Sequence, residues 1–448
     1  MKVKCLLLVL FCGLLSASEY ALIIKQSPAN GLLKQNGEFS CALTVKQNGK
    51  VLEGRKIRVR RLNAFGENVK EEQLLSANPL VIKGKADKSP DWFQYEFSLL
   101  DEKGKLCRQL VRNQKEPVQK RAGFLVDHEK FTQTIPEPAD YELFWKKVKD
   151  ELKQIPFTVT SETLPLQTFG KAKIIAQDVK VSCTEGIPVS GYLAVPQNAA
   201  PKSLPAVLLL HGAGVRSASL KGTLRYAAMG AVAFDMNAHG IPNGKPDSFY
   251  KDLRAKVYYC PQPDGSSRYA LRYIRDPRKY YFKGMYQRVM RALELLKRQP
   301  QWNGKDLIVI GGSQGGAQAF AAAGLDPQVT LMVAGVPAFS EFGGAVSKFP
   351  RMAGWPLNSS SKATLPLEPE VLKCTAYYDN ANFAKRIKAD AYVTAGLCDM
   401  VCPPCGIVAS FANLKSKVKF LQLYPQGAHG TSPNAAGMKA VEKILLKK

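Results

Sequence analysis

The sequence predicts an α/β protein with a doubly wound, mostly parallel sheet, preceded by a small all-β unit. Three observations carry this expectation. From residue 173 onward, short apolar runs rich in β-branched residues alternate with helical stretches, the rhythm of parallel strands joined by crossover helices. From about residue 20 to 125 the texture differs: short runs are separated by Asn-Gly, Gly-Glu and Lys-Gly turns. Finally, the apolar run 307–310 ends in Gly311-Gly312-Ser313-Gln314-Gly315-Gly316 and meets an Ala-rich stretch, so a strand turns sharply into a helix there.

The elements follow in order. Lys2 and Lys4, an apolar run over 5–15 and Ser16-Ala17-Ser18 read as a secretory signal peptide over 1–18, so the mature chain is expected to be secreted or periplasmic. Residues 19–130 are expected to form an accessory immunoglobulin-like β-sandwich, with strands at 20–24, 38–45, 56–60, 79–82 and 92–99. Asn48-Gly49 between two such runs is a hairpin signal. Its expected role is glycan binding or spacing. A linker at 133–140 and an amphipathic helix at 141–152 open the α/β domain, 131–448. Its strands are expected at 206–210, 232–236, 307–310, 329–334, 391–395 and 418–423, with helices at 285–298, 317–324 and 405–414.

The chain has 448 residues, is 46% hydrophobic and 22% charged, and carries a formal charge of +26. That charge suits polyanions: nucleic acid, anionic lipid or acidic polysaccharide. Export and the absence of a nucleic-acid motif argue against nucleic acid, and no later apolar run reaches membrane-spanning length. Of 10 cysteines, Cys5 and Cys12 fall in the leader. In an oxidising compartment Cys41 and Cys107 are placed to bridge the N-terminal unit. Cys398, Cys402 and Cys405 have no histidine nearby, which favours disulfides or buried thiols over zinc. No metal and no cofactor is expected.

The spacing Gly311-x-Ser313-x-Gly315 matches the nucleophile elbow of α/β-hydrolases. A serine on a strained turn needs neighbours without a Cβ, and the helix behind it aims N–H groups at a nearby oxyanion. Such a serine needs a base and an orienting acid. Of the 4 histidines, His128, His211, His239 and His429, only His429 follows Ser313, in the chain order this fold uses. The acid belongs on a loop after a strand, which selects Asp399. Asp390 precedes that strand, and Asp379 lies in a helix-like segment. The oxyanion donors are assigned to the N–H of Gln314 and the N–H of Ala213, in His211-Gly212-Ala213-Gly214 after the strand at 206–210. His211 reads as a loop-fixing residue. Tyr280, Tyr281 and His239 are candidate substrate contacts. Tyr250, Tyr258, Tyr259, Tyr269 and Tyr273 form either a sugar platform or a packed excursion.

From about Phe144 to the C-terminus the chain resembles carbohydrate esterase family 7, the acetyl xylan esterases and cephalosporin C deacetylases. The resemblance is carried by Gly-Gly-Ser-Gln-Gly-Gly at 311–316, by 280–286 and 289–294, by Tyr377-Tyr378-Asp379 with Asn382-Phe383-Ala384, and by 396–404 around Asp399. It implies a secreted serine esterase that removes acetyl or another small acyl group from a polysaccharide or oligosaccharide through an acyl-enzyme. The chain departs from the pattern in three places. Ala213 stands where the family has a tyrosine beside the oxyanion site, Met236-Asn237-Ala238-His239-Gly240 replaces an Arg-Gly-Gln motif, and Gly430 replaces a glutamate. The N-terminal unit lies outside the resemblance, and a homo-oligomer is left open. Two alternatives on the same fold are a glucuronoyl-type esterase, against which Gln314 stands where that family has arginine, and a prolyl-oligopeptidase-like peptidase. A non-enzymatic glycan-binding protein would need a broken triad.

Overall fold

The structure is a computed structural model and describes residues 19–111, 113–258, 268–359 and 368–446. The expected signal peptide, Tyr259 and Cys260 lie outside the described residues. Eleven strands come first: β1 (Tyr20–Ser27), β2 (Leu32–Leu33), β3 (Glu38–Gln47), β4 (Lys50–Val51), β5 (Lys56–Leu62), β6 (Asn68–Leu75), β7 (Leu80–Lys85), β8 (Asp91–Leu99), β9 (Arg108–Val111), β10 (Gln114–Pro117) and β11 (Gln119–Val126). β1, β3, β4 and β7 form one sheet, β2-β11-β8-β5-β6 a second, and β9 pairs with β10 alone. Asn48 and Gly49 both have positive φ, which lets β3 turn into β4 in two residues. In β3 the alternate residues Phe39, Cys41, Leu43 and Val45 are buried. Phe39 meets Phe93 of β8 and Phe124 of β11, each with ring centroids 5.1 Å apart, so the two sheets share one core. Cys41 and Cys107 are free thiols, so the expected bridge between them is absent from the structure.

Helix α1 (Tyr141–Lys153) leads into a ten-stranded sheet. Its strands are β12 (Val159–Thr163), β13 (Gln167–Phe169), β14 (Ala172–Val181), β15 (Val189–Pro196), β16 (Leu204–Leu210), β17 (Val232–Asn237), β18 (Trp302–Gly312), β19 (Leu331–Gly335), β20 (Asp390–Gly396) and β21 (Lys419–Tyr424). The order is β12-β14-β15-β17-β16-β18-β19-β20-β21, with β13 on β14. Pairing is parallel from β17 through β21 and antiparallel from β12 to β17. The helices are α2 (Leu220–Ala228), α3 (Asp247–Val257), α4 (Tyr281–Lys297), α5 (Gln314–Leu325), α6 (Pro369–Ala376), α7 (Asn380–Ala384), α8 (Pro404–Ala412) and α9 (Ala435–Leu445).

In β16, Ala206, Leu208 and Leu210 face a core shared with α1, α4 and α5, while Val207 and Leu209 face Tyr226 of α2 and Val441 of α9. Burial on both faces explains why the parallel strands read as continuous apolar runs. The antiparallel edge was harder to foresee, because β12 (Val-Thr-Ser-Glu-Thr) is exposed throughout and carries no alternating signal. Among the described residues, no helix is long and apolar enough to cross a membrane.

The two parts of the chain pack directly on each other. Trp92 Nε1 donates to Leu397 O at 2.8 Å, and Gly123 N donates to Pro425 O at 2.8 Å. Gln426 Nε2 donates to Ile24 O at 2.9 Å. Around Trp92, the side chains of Leu125, Phe131, Leu397, Cys405 and Val408 form a buried apolar cluster.

Candidate active site

Ser313 sits between β18 and α5 with φ 56° and ψ −122°. Such a conformation is costly for a residue with a side chain and persists only where the surroundings enforce it. Three glycines enforce it. A Cβ on Gly311 would lie 2.1 Å from Gly315 O, one on Gly315 2.0 Å from Leu210 O, and one on Gly316 2.8 Å from Pro337 Cα. Every one of these contacts is with rigid backbone, so strand and helix can cross this closely only without side chains. The Ser313 N–H donates to Gly335 O at 2.9 Å, which ties the turn to the neighbouring strand.

Asp399 follows the end of β20 by three residues and is fully buried. Its Oδ1 accepts from the N–H groups of Val401 and Cys402 at 2.8 and 2.9 Å, and its Oδ2 lies 2.9 Å from His429 Nδ1. His429 lies on the loop after β21, with Nε2 2.9 Å from Ser313 Oγ. A carboxylate only accepts, so Nδ1 carries the proton and Nε2 is left to take the serine proton. The structure therefore brings Ser313, His429 and Asp399 into one hydrogen-bonded chain. The other two aspartates lie elsewhere. Asp379 caps α7 and accepts from the backbone of Glu341 and Phe342. Asp390 opens β20 at its exposed, opposite end.

The loop after β16 closes over the serine: a Cβ on Gly212 would come 3.6 Å from Ser313 Cβ. Ala213 is exposed, and Gln314 opens α5, where N–H groups lack helical partners. His211 Nδ1 donates to Gly212 O at 2.7 Å, and its Nε2 accepts from Ala238 N at 3.2 Å. Burial pushes its pKa down to about 4, so the ring stays neutral and both bonds hold.

A second network fixes the same loop. Gly214 O only accepts, so His239 Nε2 donates to it across 3.2 Å, and Nδ1 then accepts from Tyr281 Oη at 2.6 Å. Gly214 N donates to Tyr269 Oη at 3.1 Å, and that hydroxyl donates to Gln314 Oε1 at 2.5 Å. Burial holds His239 well below its usual pKa, which keeps it neutral. Tyr269 thus joins the two segments expected to supply oxyanion donors. Sequence reading placed Tyr269 among platform tyrosines, because nothing in residue order shows that a hydroxyl 45 positions upstream reaches Gln314.

The remaining tyrosines divide. Tyr250 and Tyr258 are buried, and Tyr280 is buried with its hydroxyl donating to Ala270 O at 2.8 Å. These three belong to the packed interior, and Tyr273 is exposed. Cys398, Cys402 and Cys405 are buried free thiols.

The family described as acetyl xylan esterase (AXE1) matches residues 125–444. The chain belongs to the acetyl xylan esterase family. It is 34% identical over 270 residues to acetyl esterase Axe7A of Xylanibacter ruminicola, a match covering 60% of this chain. The chain spans 58% of the length of that relative. The acetyl xylan esterase of Paenibacillus sp. R4 superposes with a TM-score of 0.57 at 25% identity, over 71% of this chain and 97% of that one. Acetyl xylan esterase 1 of Thermoanaerobacterium sp. JW/SL YS485 gives the same TM-score and coverage at 22% identity, a likeness of fold. The acetyl xylan esterase match begins at the end of β11, so nearly all of the N-terminal strands lie outside it.

Proposed function

We propose that the protein is an exported serine esterase that removes acetyl or another small acyl group from a polysaccharide or oligosaccharide. The observation that carries this reading is His429, bonded to Asp399 on one ring nitrogen and to Ser313 on the other. Ser313 Oγ attacks the ester carbonyl as its proton passes to His429 Nε2. Asp399 orients the ring and stabilises the imidazolium. The carbonyl oxygen becomes an oxyanion, which the N–H groups of Gln314 and Ala213 stabilise by about 3 kcal/mol per donor. Collapse breaks the ester C–O bond, and His429 returns its proton to the leaving sugar hydroxyl. Water, deprotonated by His429, then releases acetate from the acyl-enzyme.

Residues 19–130 serve in this reading as an accessory β-sandwich domain that braces the catalytic domain. The experiment is hydrolysis of 4-nitrophenyl acetate and acetate release from acetylated xylan by wild type and Ser313→Ala. Loss of both activities in the variant is expected; turnover retained by Ser313→Ala removes the serine as nucleophile.

A further inference from the structure

Tyr281, whose hydroxyl bonds His239, lines a cleft of about 490 Å³ that the esterase reading does not use. Among the described residues, Arg272, Arg278, Lys279, Lys283 and Arg288 line it against a single acidic side chain, Glu185. Lys279 and Lys283 have carboxylate partners outside it, Asp276 at 4.0 Å and Glu151 at 3.0 Å. Among the described residues, Arg272, Arg278 and Arg288 form no ion pair.

Arg288 is the least expected of these. It is 2% exposed, and buried arginines are normally paired. Its Nε and Nη2 both donate to Ala238 O, at 3.3 and 3.1 Å, and among the described residues no acceptor meets Nη1. A Cβ added at Gly284 would meet Arg288 Nη1 at 3.5 Å and Glu185 Oε2 at 3.6 Å, so both groups face the space this glycine leaves. At the rim, Tyr273 is 57% exposed and adopts φ 60°, with the Arg272 guanidinium 5.5 Å from its ring centroid. A bulky residue in the left-handed region is strained, and burial does not compensate it here.

We propose that this cleft is a subsite for a carboxylate-bearing sugar of the acetylated glycan, a uronic acid residue held by Arg272 and Arg278 with Tyr273 against its ring. Guanidinium groups bind carboxylates through paired, charge-assisted hydrogen bonds, and exposed aromatic faces suit pyranose rings. The position fits a polymeric substrate. Tyr281 lines the cleft, its hydroxyl bonds His239, and His239 bonds Gly214 on the loop that faces Ser313. In this proposal one glycan chain presents an acetyl ester to the serine while a uronate further along the chain enters the cleft. The proposal rests on the esterase reading and names its substrate class.

The test measures acetate release from acetylated glucuronoxylan and from the same polymer after its uronic acids are removed with an α-glucuronidase. 4-Nitrophenyl acetate is the small-ester control. Wild type is expected to favour the uronate-bearing polymer by roughly 5-fold in kcat/KM, with KM rising as salt screens the arginines. The double variant Arg272→Ala/Arg278→Ala is expected to lose that preference and keep the control rate. If it folds poorly, Arg272→Gln/Arg278→Gln asks the same question. Equal kcat/KM on both polymers overturns the subsite, and so does a folded double variant that keeps the preference. A wild-type protein inert towards 4-nitrophenyl acetate sinks the esterase reading instead.

Discussion

Ser313 and its two hydrogen-bonded partners, His429 and Asp399, are held in place by different parts of the molecule. Ser313 is positioned from within its own sheet: Gly311 meets Gly315 inside the β18–α5 unit, and Gly315 and Gly316 meet the backbone of Leu210 and Pro337 beside the neighbouring strands. Asp399 and His429 lie on loops after β20 and β21 that lean on the N-terminal strands, through Trp92 on Leu397 O and Gly123 on Pro425 O. One half of the site is thus built by local geometry. The other half depends on a surface contributed from 300 residues earlier in the chain. A turn crowded by the backbone of its own sheet needs no support from the N-terminal strands, whereas two loops lose less order when something packs behind them.

Substitutions on the two sides should separate these modes of support. The largest effect is expected from Asp399→Asn, which keeps the shape of the carboxylate but presents an N–H to His429 and favours the wrong tautomer. A fall in kcat on the order of 10⁴-fold is expected, read with 4-nitrophenyl acetate. Next is Gly315→Ala. Its Cβ would meet Leu210 O at 2.0 Å, so strand and helix must part. The expected loss is about 10²-fold in kcat/KM, with about 3 kcal/mol of stability by denaturant titration. An active, stable Gly315→Ala protein would end the claim that local crowding fixes the serine.

Tyr269→Phe removes one hydroxyl and keeps the ring. With the link between Gly214 and Gln314 gone, kcat should drop roughly 10-fold while KM barely moves, and stability should fall by about 1 kcal/mol because Gln314 Oε1 stays buried without its donor. A change in KM alone would place Tyr269 in substrate binding instead. The smallest catalytic effect is expected from Trp92→Phe, which leaves Leu397 O buried without its donor. Stability should fall by about 2 kcal/mol and kcat by less than about 10-fold. Unchanged kinetics would show that the acid and base loops hold without the N-terminal strands.

Much of the fold was legible along the chain. Continuous apolar runs marked the parallel strands because both faces of the sheet are covered, and Asn48-Gly49 marked a hairpin because only such residues accept its dihedrals. β12 escaped notice because it lies at an exposed edge where no face selects apolar residues. Exposure and partnership were also hidden. Tyr280 and Tyr269 look alike in sequence, yet one hydroxyl meets a core carbonyl and the other meets Gln314.

The sequence by itself determined the serine turn and the order Ser313, Asp399, His429. Sterics demand glycine at a crossing of backbones, and histidine is scarce enough that order leaves one choice. Only the tertiary structure decided that Cys41 and Cys107 stay apart, that Tyr269 joins the two segments beside the serine, and that three arginines with no ion pair among the described residues share one cleft. Each of these depends on distances between residues remote in sequence, and burial and pairing are properties of packed neighbours rather than of residue type.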